Sequence, residues 1–245
     1  MKRFLKPSEL SFVALCGGLL TLIVRLWLMI MGKDERGLLS VGSLPDLLSW
    51  LIVAATMGLL IVGVRPIQGN VQFSRKFHNS LFAAIAMAVA ALCFCITSAM
   101  ELLSETDSMS LISAWLGFLA AAALILLAWA RFKGISFNMI PHGLVCVYLM
   151  LHLVSHYRLW SAYPHLQSYG FELLAIVFVM LACYHRAAAD AGHGNRRAYT
   201  FFTLASLFFC IAAVPSSCNI AFFLGCAVWM YFTPCRLSSS SRKEE

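Results

Sequence analysis

Eight predominantly apolar stretches divide this 245-residue chain, and most of them are roughly 20 residues long. An α-helix rises 1.5 Å per residue, so about 20 residues cross the roughly 30 Å hydrocarbon core of a bilayer. The composition, 61% hydrophobic and 12% charged, is also far from that of soluble domains, in which about a quarter of residues are charged. We therefore predict an all-α integral membrane protein with about eight transmembrane helices. The stretches are residues 8–31, 44–64, 77–103, 111–129, 139–160, 166–189, 199–214 and 218–233.

The last two stretches are shorter than the others. They are separated only by Pro215, Ser216 and Ser217. Two arrangements are open: two full crossings, or a re-entrant hairpin that enters the membrane and returns. The number of full crossings is even in both cases.

Lysine and arginine residues concentrate at alternate connections between the stretches. Short cytoplasmic loops retain such residues, whereas translocated loops are depleted of them. We therefore predict a multi-pass protein of the cytoplasmic membrane with both termini in the cytoplasm. The net charge of +7 then reports orientation and affinity for the lipid bilayer, and no nucleic-acid partner is predicted. The basic residues outside this pattern are Arg25, Lys33, Arg36 and Arg158.

Short similarities recur in the same order in both halves of the chain. They pair residues 24–27 with 157–160, 45–50 with 164–169, 75–78 with 196–199 and 112–117 with 220–225. Collinear matches of this kind indicate an internal duplication. We predict two four-helix transmembrane halves, residues 1–135 and 136–245, which run parallel because each half has four spans.

Few charged residues lie at membrane depth, where each costs about 2.5–3.5 kcal/mol unless it finds a partner. The predicted topology places all of them toward the outer side, so we expect one polar site there, with the arginines binding an anionic group and the acids as proton-linked partners. The alternative is interfacial anchoring of the two arginines beside tryptophans, without a ligand. The residues of this expected site, apart from two histidines, are Arg25, Asp46, Glu101, Arg158 and Glu172.

His152 and His156 complete the expected substrate-binding site. They are four residues apart, so they share one face of a helix. The stretch between them, Leu-Val-Ser, lacks the glutamate next to the first histidine that a HExxH metalloprotease requires. We therefore predict no metal ligands, no cofactor and no catalytic residues, and we expect the pair to face the bundle and form hydrogen bonds.

Glycines in several stretches predict close contact between helices, because a residue without a side chain lets two backbones approach. These are Gly17, Gly18, Gly117, Gly143 and Gly225.

Three segments carry the resemblance of this chain to a known family: YRLWS at 157–161, YPHLQSY at 163–169 and YHRA at 184–187. With them, most of the chain resembles a family of uncharacterised multi-spanning membrane proteins of clostridia-like bacteria. The resemblance implies a bacterial cytoplasmic membrane and no particular activity or binding residue.

These observations predict a protein that binds or transports a small molecule or ion through the outer half of the bundle. One alternative is a sensor or accessory subunit whose short cytoplasmic loops dock a membrane or cytoplasmic protein partner. A second is an intramembrane enzyme that uses metal or haem at His152 and His156, favoured by stoichiometric metal or haem in the protein.

Overall fold

The computed structural model describes residues 7–31, 43–67, 80–104, 108–134, 139–161, 166–191, 193–217 and 219–241. This part of the chain forms eight α-helices that coincide with the eight apolar stretches. The prediction of an all-α protein is therefore confirmed. The helices are α1 (Pro7–Met31), α2 (Leu44–Val64), α3 (Leu81–Ser104), α4 (Ser108–Lys133), α5 (Ile140–Ser161), α6 (Leu166–Asp190), α7 (Arg196–Ala213) and α8 (Ile220–Ser241).

Helices α1 to α6 are long and apolar enough to cross a membrane. Much of their outward surface is apolar: on α1 alone, Phe12, Leu19, Leu20, Ile23 and Ile30 are exposed. Exposing an apolar surface of this extent to water would be unfavourable, whereas the same surface is suited to contact with lipid. In α8 the apolar part is the shorter segment Ile220–Thr233.

Helix α7 lies at the centre of the bundle. It packs against α1, α2, α6 and α8, and nearly every side chain from Tyr199 to Ala213 is buried. A helix buried on all sides needs apolar or internally bonded side chains on every face. The polar side chains of α7 meet this condition, because Thr203 donates to the Tyr199 carbonyl (2.7 Å) and Ser206 to the Thr203 carbonyl (2.8 Å).

The sequence also sets where α7 begins. The side chain of Asn195, the residue before the helix, accepts hydrogen bonds from the backbone N–H groups of Arg197 (3.0 Å) and Ala198 (3.4 Å). Asparagine is among the preferred residues at this position because it satisfies N–H groups that have no partner inside the helix.

The contacts between helices do not establish the predicted repeat. Helices of the two predicted halves pack directly on each other, α1 on α7 and α3 on α8. In addition, α7 packs closely on α6, whereas α3, its counterpart under the repeat, makes no comparable contact with α2 in the described ranges. The duplication therefore stays a prediction.

Close helix contact is confirmed at four of the five glycines. A Cβ atom at Gly18 would lie 3.2 Å from the Phe208 carbonyl oxygen, so α1 and α7 approach closely there, and Gly17 and Gly117 are similarly crowded. The prediction is wrong for Gly143, where an added Cβ meets no atom of the described residues within 4 Å.

Gly225 offers a test of the packing of α8 on α3. A Cβ at this position would lie 2.7 Å from Cβ of Cys93, which cannot rotate away. We expect Gly225→Ala to lower the free energy of unfolding by about 1–3 kcal/mol, since an overpacked core must shift its backbone. The measurement is a denaturant titration in detergent micelles.

Gly58→Ala is the matched control, because a Cβ there would lie more than 4 Å from every neighbour in the part of the chain that the structure describes. This change should be neutral or stabilise α2 by up to about 1 kcal/mol, the helix propensity difference between the two residues. Equal destabilisation by both changes would contradict the assigned contact.

Candidate functional site

Three potential ligand side chains converge where α3 and α5 end. Nδ1 of His152 lies 3.1 Å from Oε1 of Glu101, and Nε2 of His156 lies 3.5 Å from the same oxygen. The three ligand atoms all lie within 4.8 Å of one another. We call these residues the Glu101 triad, and the end of the bundle that carries it the Glu101 end.

The triad is mostly enclosed. The exposed fraction of the side chain is 2% for His152, 11% for Glu101 and 19% for His156. The i, i+4 spacing places both imidazoles on the bundle side of α5, with their ring centroids 4.2 Å apart. Access from outside the bundle is therefore through the side of His156.

An aromatic layer lies next to the triad on its inner side. The ring of Phe222 lies 4.9 Å from that of His152, and Phe94 stacks on Phe222 at 5.1 Å. Tyr148 packs on both Phe94 and His152. All three aromatic side chains are fully buried, so the triad packs on one side against a buried aromatic layer.

Arg25 is buried in the same end of the bundle. Its Nη1 donates to the Ala212 carbonyl (2.8 Å) and its Nη2 to Oγ of Ser216 (3.1 Å). The guanidinium carbon also lies 4.1 Å from the ring centroid of Phe171. Because Ala212 carries one of the last four carbonyls of α7, which have no partner within the helix, Arg25 caps the C-terminus of the central helix.

Two carboxylates accompany Arg25. Both Glu172 and Asp46 act electrostatically on its guanidinium, and Glu172 is 3% exposed. Glu172 also interacts with the Ser216 hydroxyl and electrostatically with His156, which connects it to the triad. Oε1 of Glu172 has no hydrogen-bond partner among the residues that the structure describes.

The structure thus brings together six of the seven residues expected at one site. Arg158 is the exception. Its side chain is exposed, two residues beyond His156 and so on another face of α5. The expected equivalence of Arg25 and Arg158 fails, since the first is buried as a helix cap and the second lies on the surface. The exposure of Arg158 is consistent with a role as an interfacial anchor. Arg25 does not have that role, because its side chain lies inside the bundle.

The sequence places Glu101 in one expected site with both histidines, but it does not predict their direct contact, because 51 positions separate Glu101 from His152 and only the tertiary structure brings them together. It also missed Ser216 and the carbonyl of Ala212. The Pro215 turn is a signal for the end of α7, but it does not indicate which side chain binds there.

At the opposite end of the bundle, Arg186 and Asp190 form an i, i+4 ion pair within α6. Nη2 of Arg186 lies 3.2 Å from Oδ1 of Asp190. Nδ1 of His142, on α5, lies 3.3 Å from the other carboxylate oxygen. We call this the Asp190 end.

Comparison with known proteins gives no match: no family model matches the chain, and no curated protein or solved structure matches it significantly. The resemblance drawn from the sequence therefore stays a prediction, and the function must be argued from the site.

The cap that Arg25 forms on α7 gives a stability prediction. Arg25→Ala leaves the Ala212 carbonyl and the Glu172 carboxylate buried without the guanidinium, and we expect the free energy of unfolding to fall by about 2–4 kcal/mol. Arg25→Lys should recover only part of this loss, because an ammonium lacks the planar fork that reaches two acceptors. Denaturant titration in detergent micelles measures both.

Arg158→Ala is the matched control. Its side chain is exposed, and interactions of an exposed arginine contribute at most about 1 kcal/mol, so the change should cost no more than that. A loss for Arg158→Ala as large as that for Arg25→Ala would refute the capping role.

Proposed function

We propose that this chain is a multi-pass protein of the cytoplasmic membrane that binds a small cation, a divalent transition-metal ion, at the Glu101 triad. The observation that carries the proposal is the convergence of three ligand atoms within 4.8 Å in a mostly buried site. The proposal thereby names a divalent metal ion as the ligand of the small-molecule or ion site that we expect in the outer half of the bundle.

The donor set suits zinc and its neighbours. Two imidazole nitrogens and one carboxylate oxygen form a three-residue set that leaves a fourth position open, as in catalytic and exchangeable zinc sites. In a tetrahedral site with bonds of about 2.0–2.1 Å, ligand atoms lie about 3.4 Å apart. The separations from Glu101 Oε1, 3.1 Å to His152 and 3.5 Å to His156, need only small adjustments to reach that value.

The charge balance at the Glu101 end also favours a cation. The described buried and half-buried side chains there include three carboxylates, Asp46, Glu101 and Glu172, against one guanidinium, that of Arg25. Charges interact more strongly away from water. A bound divalent cation would offset the excess negative charge.

The placement of the site relative to the membrane supports exchange with the outer side. Described basic residues away from this end include Arg65, Arg131, Lys133, Arg196 and Arg197, which the positive-inside rule assigns to the cytoplasm. Helix α7 has 18 residues, about 27 Å of helix, which is close to the hydrocarbon thickness. We propose eight crossings on this basis, with the Glu101 triad toward the outer surface.

A second candidate is an accessory subunit or sensor in which the triad carries no metal. The distance of 3.1 Å between His152 and Glu101 lies within ion-pair range, so the three residues would then serve as an internal polar network. The measurement below separates the two candidates.

The test is the metal content of the purified full-length protein, with any affinity tag removed. After exposure to Zn²⁺ and desalting, we expect about one equivalent to be retained. Co²⁺ in its place should give the visible absorption of a tetrahedral site. Glu101→Gln and His156→Ala should each lower metal retention at least tenfold, because each removes one of three ligands.

His193→Ala is the control, because His193 is exposed and remote from the triad. It should retain metal as the wild type does. A wild-type protein that retains no metal, or triad variants that retain it fully, would reject the metal site. In that case, a loss of stability in Glu101→Gln would support the second candidate, an accessory subunit or sensor with an internal polar network.

Reconstitution into vesicles that contain a metal-sensitive dye extends the test from binding to transport. Uptake of Zn²⁺ that Glu101→Gln abolishes and His193→Ala leaves intact would assign transport. Retained binding without uptake would assign a binding role, as expected if the aromatic layer of Phe94, Tyr148 and Phe222 stays closed.

A further inference from the structure

Two cysteines meet where α5 packs on α6. The thiol of Cys146 donates to the carbonyl of Met180 (3.7 Å), which lies about one turn before Cys183 on α6. The sulfur of Cys146 is also in hydrogen-bond contact with the thiol of Cys183. Both cysteines are free; Cys183 is 2% exposed and Cys146 is half-buried. We call these two residues the thiol pair.

A small cavity leads to the thiol pair from the Asp190 end. It has a volume of about 20 Å³, is open on one side and has room for about one water molecule. Cys183 lies in its wall, together with the thioethers of Met87 on α3 and Met230 on α8. A bare metal ion is no larger than a water molecule, so the cavity admits a metal ion and excludes an organic ligand.

The donor atoms of this region favour a soft metal ion. Thiolate and thioether sulfurs select Cu(I), whereas carboxylate and water oxygens suit Mg²⁺, Ca²⁺ and Mn²⁺. Structural zinc would take four ligands, and among the residues that the structure describes no third histidine, cysteine or carboxylate joins the thiol pair within metal-binding distance. Cu(I) forms linear complexes with a pair of sulfur ligands, so the thiol pair is sufficient for it.

We propose that the thiol pair binds one Cu(I) ion, with Sγ of Cys146 and Sγ of Cys183 as the ligands. Each thiol loses its proton and each sulfur forms a bond to the ion. Both protons leave through the open side of the cavity, and no electron is transferred.

The charge change of this step suits its surroundings. Two neutral thiols are replaced by a complex of two thiolates with one Cu(I) ion, which carries a single negative charge. The guanidiniums of Arg131 and Arg186 line the same cavity, and their positive charge favours that complex over the neutral thiols. This effect is additional to the interactions of both arginines with Asp190.

The proposed orientation in the membrane is consistent with this ligand. It places the Asp190 end toward the cytoplasm, where the reducing environment keeps cysteines as thiols. Copper on that side is Cu(I), the oxidation state that thiolates bind.

This inference does not rest on the proposed zinc-type site at the Glu101 triad. Along α5, Cys146 and His152 are six residues apart, which corresponds to about 9 Å of helix. The probes also differ, with Zn²⁺ for the triad and Cu(I) for the thiol pair. A failure of either site therefore leaves the other untouched.

The experiment uses the full-length protein in detergent micelles, without oxygen and with ascorbate as reductant. Thiol titration of a denatured sample first confirms that the cysteines are reduced. Cu(I) is then supplied as its coloured complex with bicinchoninic acid, and its transfer to the protein is measured as loss of that colour. X-ray absorption at the copper edge reports the ligand atoms.

We expect the wild type to take about one equivalent of Cu(I) from the chelator, bound by sulfur. Cys183→Ser and Cys146→Ser should each lower the affinity for Cu(I) at least tenfold, because a hydroxyl is a poor ligand for a soft ion. Cys16→Ser is the matched control, since Cys16 lies on α1 and is not part of the cavity lining. It should bind Cu(I) as the wild type does.

Three results would overturn the proposal. The reduced wild type takes no Cu(I) from the chelator, or the copper edge shows no sulfur ligand, or Cys16→Ser loses as much affinity as the variants of the thiol pair. Because Cys146 is half-buried, Cys146→Ser tests the site even where Cys183→Ser does not fold.

Discussion

The hydrocarbon core of a bilayer offers no hydrogen bonds, so every polar group at that depth needs its partner within the protein. This constraint explains the arrangement around α7. Its threonine and serine side chains bond back to their own helix, and Arg25 reaches from α1 to the Ala212 carbonyl at its end. Because α7 contacts α1, α2, α6 and α8, meeting these requirements also fixes how the surrounding helices pack.

The two ends of the bundle differ in the charged side chains that the structure describes there. The buried and half-buried side chains at the Glu101 end include Asp46, Glu101, Glu172 and Arg25, while at the other end Arg186 pairs with Asp190. Most of these side chains are enclosed, so solvent and salt screen their interactions less than those of surface charges. An apolar interior that includes Phe94, Tyr148 and Phe222 separates the two ends.

The sequence predicts the helices well because the apolar stretches and the helix rise both follow from the thickness of a membrane. It also predicts that His152 and His156 share a face, since that depends on spacing within one helix. The sequence does not predict features that depend on the rotation of a helix about its axis or on the packing of helices that are distant in the chain. Arg25 and Arg158 have similar neighbours in sequence, yet α1 turns one into the bundle and α5 leaves the other exposed.

The direct contact of Glu101 with the histidines is a further example: their shared membrane depth predicts one site, but no local pattern sets a distance between residues on α3 and α5. Gly143 shows the same limit in the other direction. A glycine permits close packing, but a neighbouring helix must be present for that packing to occur, and at Gly143 no described helix lies within 4 Å of an added Cβ. Composition and spacing determine which contacts a helix can form, and tertiary packing determines which of those contacts are present.

The central position of α7 has a consequence for biosynthesis. Chains are made from the N-terminus at about 5–20 residues per second, so on the order of 10–40 seconds pass between the synthesis of α1 and that of α7. During this interval the helices already inserted lack the element on which α1, α2 and α6 pack, and Arg25 lacks the Ala212 carbonyl. The nascent bundle therefore exposes an unfilled seam within the membrane until its seventh helix arrives. That interval is when insertion chaperones and membrane proteases would find most of their access to this chain.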